Sequence, residues 1–183
     1  MSTHKKIAGG LIAAALVAAC ASTPEGTMTT PTRGPNLGAT PSPAMLAAMD
    51  ISIPPSGAGL PAGSGSVAQG QKVYDAKCQT CHGPKGVGKP ADPLAGGIGS
   101  LASGKPMRTV GSYWPYATTL FDYVRRAMPT NAPHTLSDDE AYAASAYVLF
   151  LNGIIKEDQV MNAQTLPQVK MPNREGFIDY SRK

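Results

Sequence analysis

Five consecutive residues, Cys78-Gln79-Thr80-Cys81-His82, constrain this chain more than anything else in its 183 residues. Two intervening residues at a helix end put both sulfurs on one side of a turn. A histidine directly after the second cysteine then reaches the same face. The pattern predicts covalent haem attachment, with thioether bonds from Cys78 and Cys81 to the haem vinyl groups and His82 ligating the iron. The competing reading of Cys-x-x-Cys is a zinc site, which needs two further ligands. Only Cys20, His4 and His134 remain to supply them, and the first two lie in a separate N-terminal segment. The motif occurs once, so one haem c is expected.

That N-terminal segment reads as an export signal. His4-Lys5-Lys6 precedes an apolar run from Ile7 to Ala19 that is too short to anchor stably across a bilayer. The run closes on Leu16-Val17-Ala18-Ala19-Cys20, the shape of a bacterial lipobox. Cleavage before Cys20 and acylation of its thiol would tether the chain to a membrane through lipid. The alternative is an ordinary signal peptide cut nearby, with Cys20 left as a stray thiol. In the lipoprotein reading two cysteines carry haem and one carries lipid, so no disulfide is expected. Haem attachment in bacteria takes place outside the cytoplasmic membrane, so both signals point to the periplasm. Ala21 after Cys20 leans toward the outer membrane, because the aspartate that favours inner-membrane retention is missing.

Charge says less than it first suggests. The formal net charge is +4, and loss of Lys5 and Lys6 with the signal leaves +2. Two haem propionates bring that to about zero. No basic stripe interleaved with aromatics is present, which excludes nucleic acid as the expected partner.

Composition divides the rest. Residues 1–19 form the lipoprotein signal peptide. Residues 20–43, rich in Ser, Thr, Pro, Gly and Ala, cannot bury enough apolar surface to offset ordering and read as a disordered tether. Residues 44–66 hold Met45, Leu46, Met49, Ile51, Ile53 and Leu60, but prolines and glycines rule out a long helix. This is an extended arm, lying either on its own domain or on a partner. Residues 67–155 read as one all-α domain around a haem. Its first helix starts after Ser66 as N-cap, and Gly70 inside it suggests that another helix crosses there. The irregular stretch from Gly83 to Ser112 is long for a compact domain unless it packs on a large cofactor. A second helix is expected over Pro115–Ala127, with Leu120, Tyr123 and Val124 on one face. Ser137-Asp138-Asp139-Glu140 announces a third with a capping box, and Asn152-Gly153 ends it. Tyr142, Ala146, Leu149 and Phe150 form its inward face. Residues 156–183 form a wrapping tail.

Met128 is the expected sixth iron ligand. It follows the helix in Arg126-Ala127-Met128-Pro129, where proline fixes the direction of the chain just past the thioether. Methionine opposite histidine is the low-spin pairing of electron-transfer haem proteins. Met107, Met161 and His134 are the rivals. The second ring nitrogen of His82 needs an acceptor, and a carbonyl within Asp92-Pro93-Leu94 could provide it, with Leu94 packing on the porphyrin. Arg108, Tyr113 and Trp114 are candidates for binding the propionates. No catalytic residue is required, although an open sixth position would instead make a haem enzyme or gas sensor.

The order helix, Cys-x-x-Cys-His, irregular loop, helix, Met-Pro, capped helix resembles the class I cytochromes c. Gly97-Ile98-Gly99, the run from Thr109 to Pro129, and Met171-Pro172-Asn173-Arg174-Glu175-Gly176-Phe177 resemble, more narrowly, the haem subunits of periplasmic molybdenum-dependent sulfane and sulfite dehydrogenases of Sox-type sulfur oxidation. Gly59-Leu60-Pro61-Ala62-Gly63-Ser64-Gly65 extends the likeness upstream. The resemblance implies a partner subunit with a molybdenum cofactor of the sulfite-oxidase type, and a downstream cytochrome or oxidase that takes the electrons on. It also gives the arm and tail a role in docking. Some members carry a second haem domain, which this chain lacks. Sulfane or sulfite specificity belongs to the partner. A general envelope electron shuttle is the alternative.

Overall fold

Two serines start two of the main helices by the same device. Ser66 accepts the Gln69 N–H at 3.2 Å while Gln69 Oε1 accepts the Ser66 N–H at 2.9 Å. Ser137 and Glu140 repeat the exchange at 3.2 and 3.0 Å. Each box satisfies two backbone donors that a helix start otherwise leaves orphaned. The computed structural model describes residues 38–178. The chain divides into Met1–Ser42 and Pro43–Lys183. Residues 38–42 of the first unit are exposed.

The second unit runs α1 (Pro43–Met49), β1 (Ser64–Ser66), α2 (Val67–Lys77), α3 (Gln79–His82), α4 (Ala117–Ala127), α5 (Asp138–Leu151) and β2 (Val160–Asn162), with single 3₁₀ turns between. It is predominantly helical, as the class I cytochrome c plan expected from the sequence requires. Ser64–Ser66 and Val160–Asn162 add a short antiparallel ribbon to the expected all-α plan, Gly65 opposite Met161. Among the described residues no helix is long and apolar enough to cross a membrane.

Helix α5 is the axis of the fold. Every residue from Ala141 to Leu149 is buried, as a helix must be when neighbours pack around it on all sides. Small residues let those neighbours come close. A Cβ on Gly70 would land on the Ala143 carbonyl oxygen, and one on Gly65 on the Ala143 backbone nitrogen. The glycine in α2 therefore marks the helix crossing that its position suggested. Helix α4 packs on α5 through Ala117, Leu120 and Phe121, with Val124 partly buried. These are the i, i+3, i+4, i+7 positions of one stripe.

Two expectations need correcting here. Helix α4 begins at Ala117, with Tyr116 extended as its N-cap, and not at Pro115. Tail contacts hold that approach open: the Asn173 amide donates to the Tyr113 carbonyl at 2.7 Å, and Arg174 lies 4.1 Å from the Tyr116 ring centre. Tyr123 lies outside the buried stripe and is exposed, Phe121 taking the inward place. The arm, expected to hold no long helix, carries only the short α1, which starts one residue before it at Pro43.

The rest of the arm lies on its own domain. Ile53 is buried and its N–H donates to Asp122 Oδ1 at 2.7 Å. Thr118 donates to the Pro55 carbonyl at 3.0 Å and Tyr142 to that of Pro61 at 2.9 Å. The tail returns buried side chains to the core, namely Met161, Leu166 and Met171.

Candidate functional site

Helix α2 ends at Lys77, Cys78 caps the junction, and a single helical turn, α3, carries the rest of the Cys-x-x-Cys-His motif onward. Cys81 and His82 both donate their N–H to the Cys78 carbonyl, at 3.1 and 3.0 Å. This turn puts the two thiols and the imidazole on one short segment. Tyr74, fully buried in α2, braces it from beneath by donating its hydroxyl to the Gly83 carbonyl at 2.8 Å. Burial, with charge repulsion from Cys78 behind it, pushes the Tyr74 phenol up to about 12, so that donor proton stays in place.

The thiols are free. Burial pushes the Cys78 thiol up to about 11, against a smaller lowering by Lys77. A redox Cys-x-x-Cys pair has the opposite property, a thiol poised as thiolate near neutral pH. Among the described residues, no group of three or more His, Cys, Asp or Glu could hold a metal ion. The zinc reading therefore has no support in the described chain.

His82 Nδ1 lies 2.9 Å from the Asp92 carbonyl oxygen. A carbonyl can only accept, so Nδ1 carries the proton and Nε2 is the nitrogen left with a lone pair. Of the three residues Asp92, Pro93 and Leu94, it is therefore Asp92 that holds the ring. Leu94 packs against the core and is itself held, its N–H donating to the Gly86 carbonyl at 2.8 Å.

Met128 is the C-cap of α4 and is extended, as the residue before a proline should be. Its sulfur accepts a hydrogen bond from Thr130 Oγ1 at 3.4 Å. The rivals fare differently. Met161 is consumed by the core, and His134 sits exposed in a turn. Met107 is exposed on the loop. Helices α2, leading to Cys78, and α4, leading to Met128, both dock on α5.

The propionate candidates gather in two places. Arg108 lies 5.6 Å from the Tyr113 ring centre, and Tyr113 meets Phe177 edge-on at 5.2 Å. Trp114, half-buried, meets Tyr123 edge-on at 5.7 Å. Cys20 lies outside the described residues. Sequence reasoning missed Thr130 and Asn152 as residues near this site. A hydroxyl two residues past Met128 was a usable signal for the first, whereas nothing local pointed to the second.

The donor set fits haem c. Two free thiols and an imidazole with one nitrogen already committed share one turn, and Val87, Ile98 and Met107 on the loop beyond leave large apolar side chains exposed. A flat apolar cofactor is what such a loop can cover.

Residues 65–148 match the family described as cytochrome c oxidase, cbb3-type, subunit III. A chain in the crystal structure of the sulfane dehydrogenase SoxCD from Paracoccus pantotrophus is 42% identical to this one, with a TM-score of 0.75, over 80% of this chain and 73% of that chain. This chain belongs to the cytochrome c family. Comparison with curated proteins finds no match. The cytochrome is an electron-transfer protein, and its cytochrome c domain implies covalently bound haem c. It resembles the SoxCD chain well beyond the haem motif, since the shared 80% exceeds the matched span 65–148.

Proposed function

We propose that this cytochrome carries electrons, one at a time, from a molybdenum-cofactor sulfur-compound dehydrogenase subunit of the sulfite-oxidase type to a downstream cytochrome or respiratory oxidase. The observation that carries this reading is the 42% identity to a chain of a sulfane dehydrogenase, over most of both chains. Haem c, when bound, supplies a one-electron iron couple. The chain's own residues do the rest. Cys78 and Cys81 hold the single haem by thioether bonds. His82 presents Nε2 to the iron while the Asp92 carbonyl fixes its ring. Met128 offers its thioether as sixth ligand, and a methionine there raises the reduction potential. Leu94 packs on the porphyrin, and Arg108, Tyr113 and Trp114 bind the propionates. No residue of this chain performs bond chemistry on the sulfur substrate.

The same proposal covers organisation and place. Residues 1–19 are a signal peptide and Cys20 is lipidated, anchoring the protein in the bacterial periplasm at the outer membrane. Residues 20–43 tether it, residues 44–66 and 156–183 take part in docking, and residues 67–155 hold the haem. A free-standing electron shuttle is the second reading. The match of residues 65–148 to an oxidase subunit family favours it, because that match spans the haem domain alone.

Purification from the native envelope in mild detergent tests the choice, with bound metals assayed and haem reduction followed spectroscopically. Co-purifying molybdenum and rapid reduction by sulfite or thiosulfate are expected. Haem alone, still unreduced after candidate molybdenum subunits are added back, would leave the shuttle.

A further inference from the structure

Asn152 closes the last turn of α5 and is buried. Its amide reaches out of the helix into the haem loop. Oδ1 accepts the Gly96 N–H at 3.1 Å, and Nδ2 donates to the carbonyls of Leu94 at 3.0 Å and Val148 at 2.9 Å. One N–H and two carbonyls as partners fix which end of the amide is which. Aspartate would turn an oxygen toward two carbonyl oxygens, and leucine would take these partners from the Gly96 N–H and the Val148 carbonyl and leave the Leu94 carbonyl with Val110 alone. The fit is also tight, since a Cβ on Gly111 would collide with the Asn152 amide oxygen. The far side of the clamp is secured as well, because the Leu94 carbonyl also accepts the Val110 N–H at 3.2 Å.

Two residues before Leu94 stands Asp92, whose carbonyl holds His82 Nδ1 at 2.9 Å. The segment from Asp92 to Gly96 therefore has the His82 ring at one end and the Asn152 amide at the other, with Pro93 stiffening the span between them. We propose that Asn152 is a positioning residue for His82: by pinning Leu94 and Gly96 to the end of α5, it holds the Asp92 carbonyl against the imidazole and so sets the reduction potential. This rests on the reading of His82 as the iron's ligand. An imidazole that donates Nδ1–H to a fixed carbonyl is a stronger electron donor at Nε2, which favours ferric iron. Releasing the clamp weakens that bond and raises the potential.

The test uses the full haem-loaded chain with Asn152→Ala, Asn152→Asp and, as a control, Leu166→Ala. Leu166 is fully buried in the tail and its turn packs against α4, so its truncation loosens the core without removing any hydrogen bond of the clamp. Solvent exchange of the His82 Nδ1 proton is read by nitrogen-edited NMR of the reduced protein, and the midpoint potential by spectroelectrochemistry. Asn152→Ala should speed exchange at least tenfold and raise the potential; Asn152→Asp should speed exchange further, while its added negative charge opposes the rise in potential. Leu166→Ala should lower Tm and leave both readings unchanged. If Asn152→Ala takes up no haem, Asn152→Ser, with one hydroxyl donor left, should give intermediate values. Wild-type exchange and potential in the loaded Asn152 variants would overturn the proposal, as would equal changes in the Leu166 control. Absence of an axial histidine signature in the wild-type protein would overturn the ligand reading beneath it, a failure seen before any variant is made.

Discussion

At the scale of single residues, the sixth-ligand side of the site rests on a contact between near neighbours. Thr130 donates its hydroxyl to the Met128 sulfur at 3.4 Å. A donor on a thioether draws electron density from it, so if Met128 ligates the iron this bond favours the reduced state. Thr130→Val keeps the shape and removes the donor. The midpoint potential is expected to fall by roughly 20–60 mV, the equivalent of about 0.5–1.4 kcal/mol for one electron. A titration that shows no change would mean that the Thr130 hydroxyl does not act on the iron through the Met128 sulfur. The cysteines need no such help. Cys78 and Cys81 are separated by one turn, and their placement follows from that spacing.

At the scale of elements, a buried carboxylate helps to join the arm to helix α4. Asp122 is nearly buried, accepts the Ile53 N–H, and takes two hydrogen bonds from Arg126, 2.9 Å at Nε and 2.6 Å at Nη2. Arg125 adds a bond to Asp138 at 2.7 Å and one to the Ile51 carbonyl at 3.3 Å. Burial alone would raise the Asp122 carboxyl, but the Arg126 and Ile53 hydrogen bonds and the two guanidinium charges outweigh it and hold it below its ordinary value. A depressed folded-state value means that the ionised carboxyl contributes stability above its unfolded pKa of about 3.9. That contribution is lost as pH falls through the folded value. Glu140 is held down in the same direction, chiefly by Lys77, and shares this acid limb. Asp122→Asn should cost about 1–3 kcal/mol at pH 7 and flatten the loss of stability below about pH 4. Urea unfolding at pH 3 and pH 7 checks both parts. An unchanged acid limb would assign it to other carboxylates.

At the scale of the whole molecule, the tail is part of the core. Met161, Leu166 and Met171 are each at most 3% exposed. Removing one such side chain typically costs 2–5 kcal/mol, and the domain's total stability is of the order of 5–15 kcal/mol. A chain ending at residue 155 also loses strand β2 and the contacts of Asn173, Arg174 and Phe177 with Tyr113 and Tyr116. It should show no cooperative thermal transition by circular dichroism. A Tm within a few degrees of the full chain would make the tail dispensable. The expected wrapping role therefore understates a segment that supplies core side chains as well as surface cover.

Much of the site could be read directly because its chemistry is local. Cys78, Cys81 and His82 fall on one turn by spacing, Ser66 and Ser137 cap helices by bonds to residues three positions on, and Gly70 marks a close crossing by lacking a side chain. Local signals misjudged α4, because Phe121 and Tyr123 are both aromatic and only two positions apart, and only the packing on α5 decides between them. That Met161 belongs to the core could not be read until its strand was seen paired with Ser64–Ser66. The clamps are further still from view. Ile53 meets Asp122 across 69 residues, and Gly96 meets Asn152 across 56. The grouping of Cys78, Cys81 and His82 was legible in the sequence, since three residues on one turn need no other part of the chain to bring them together. The tertiary structure alone decided what holds those groups still, because that depends on where the arm, the loop and the tail return to the helices.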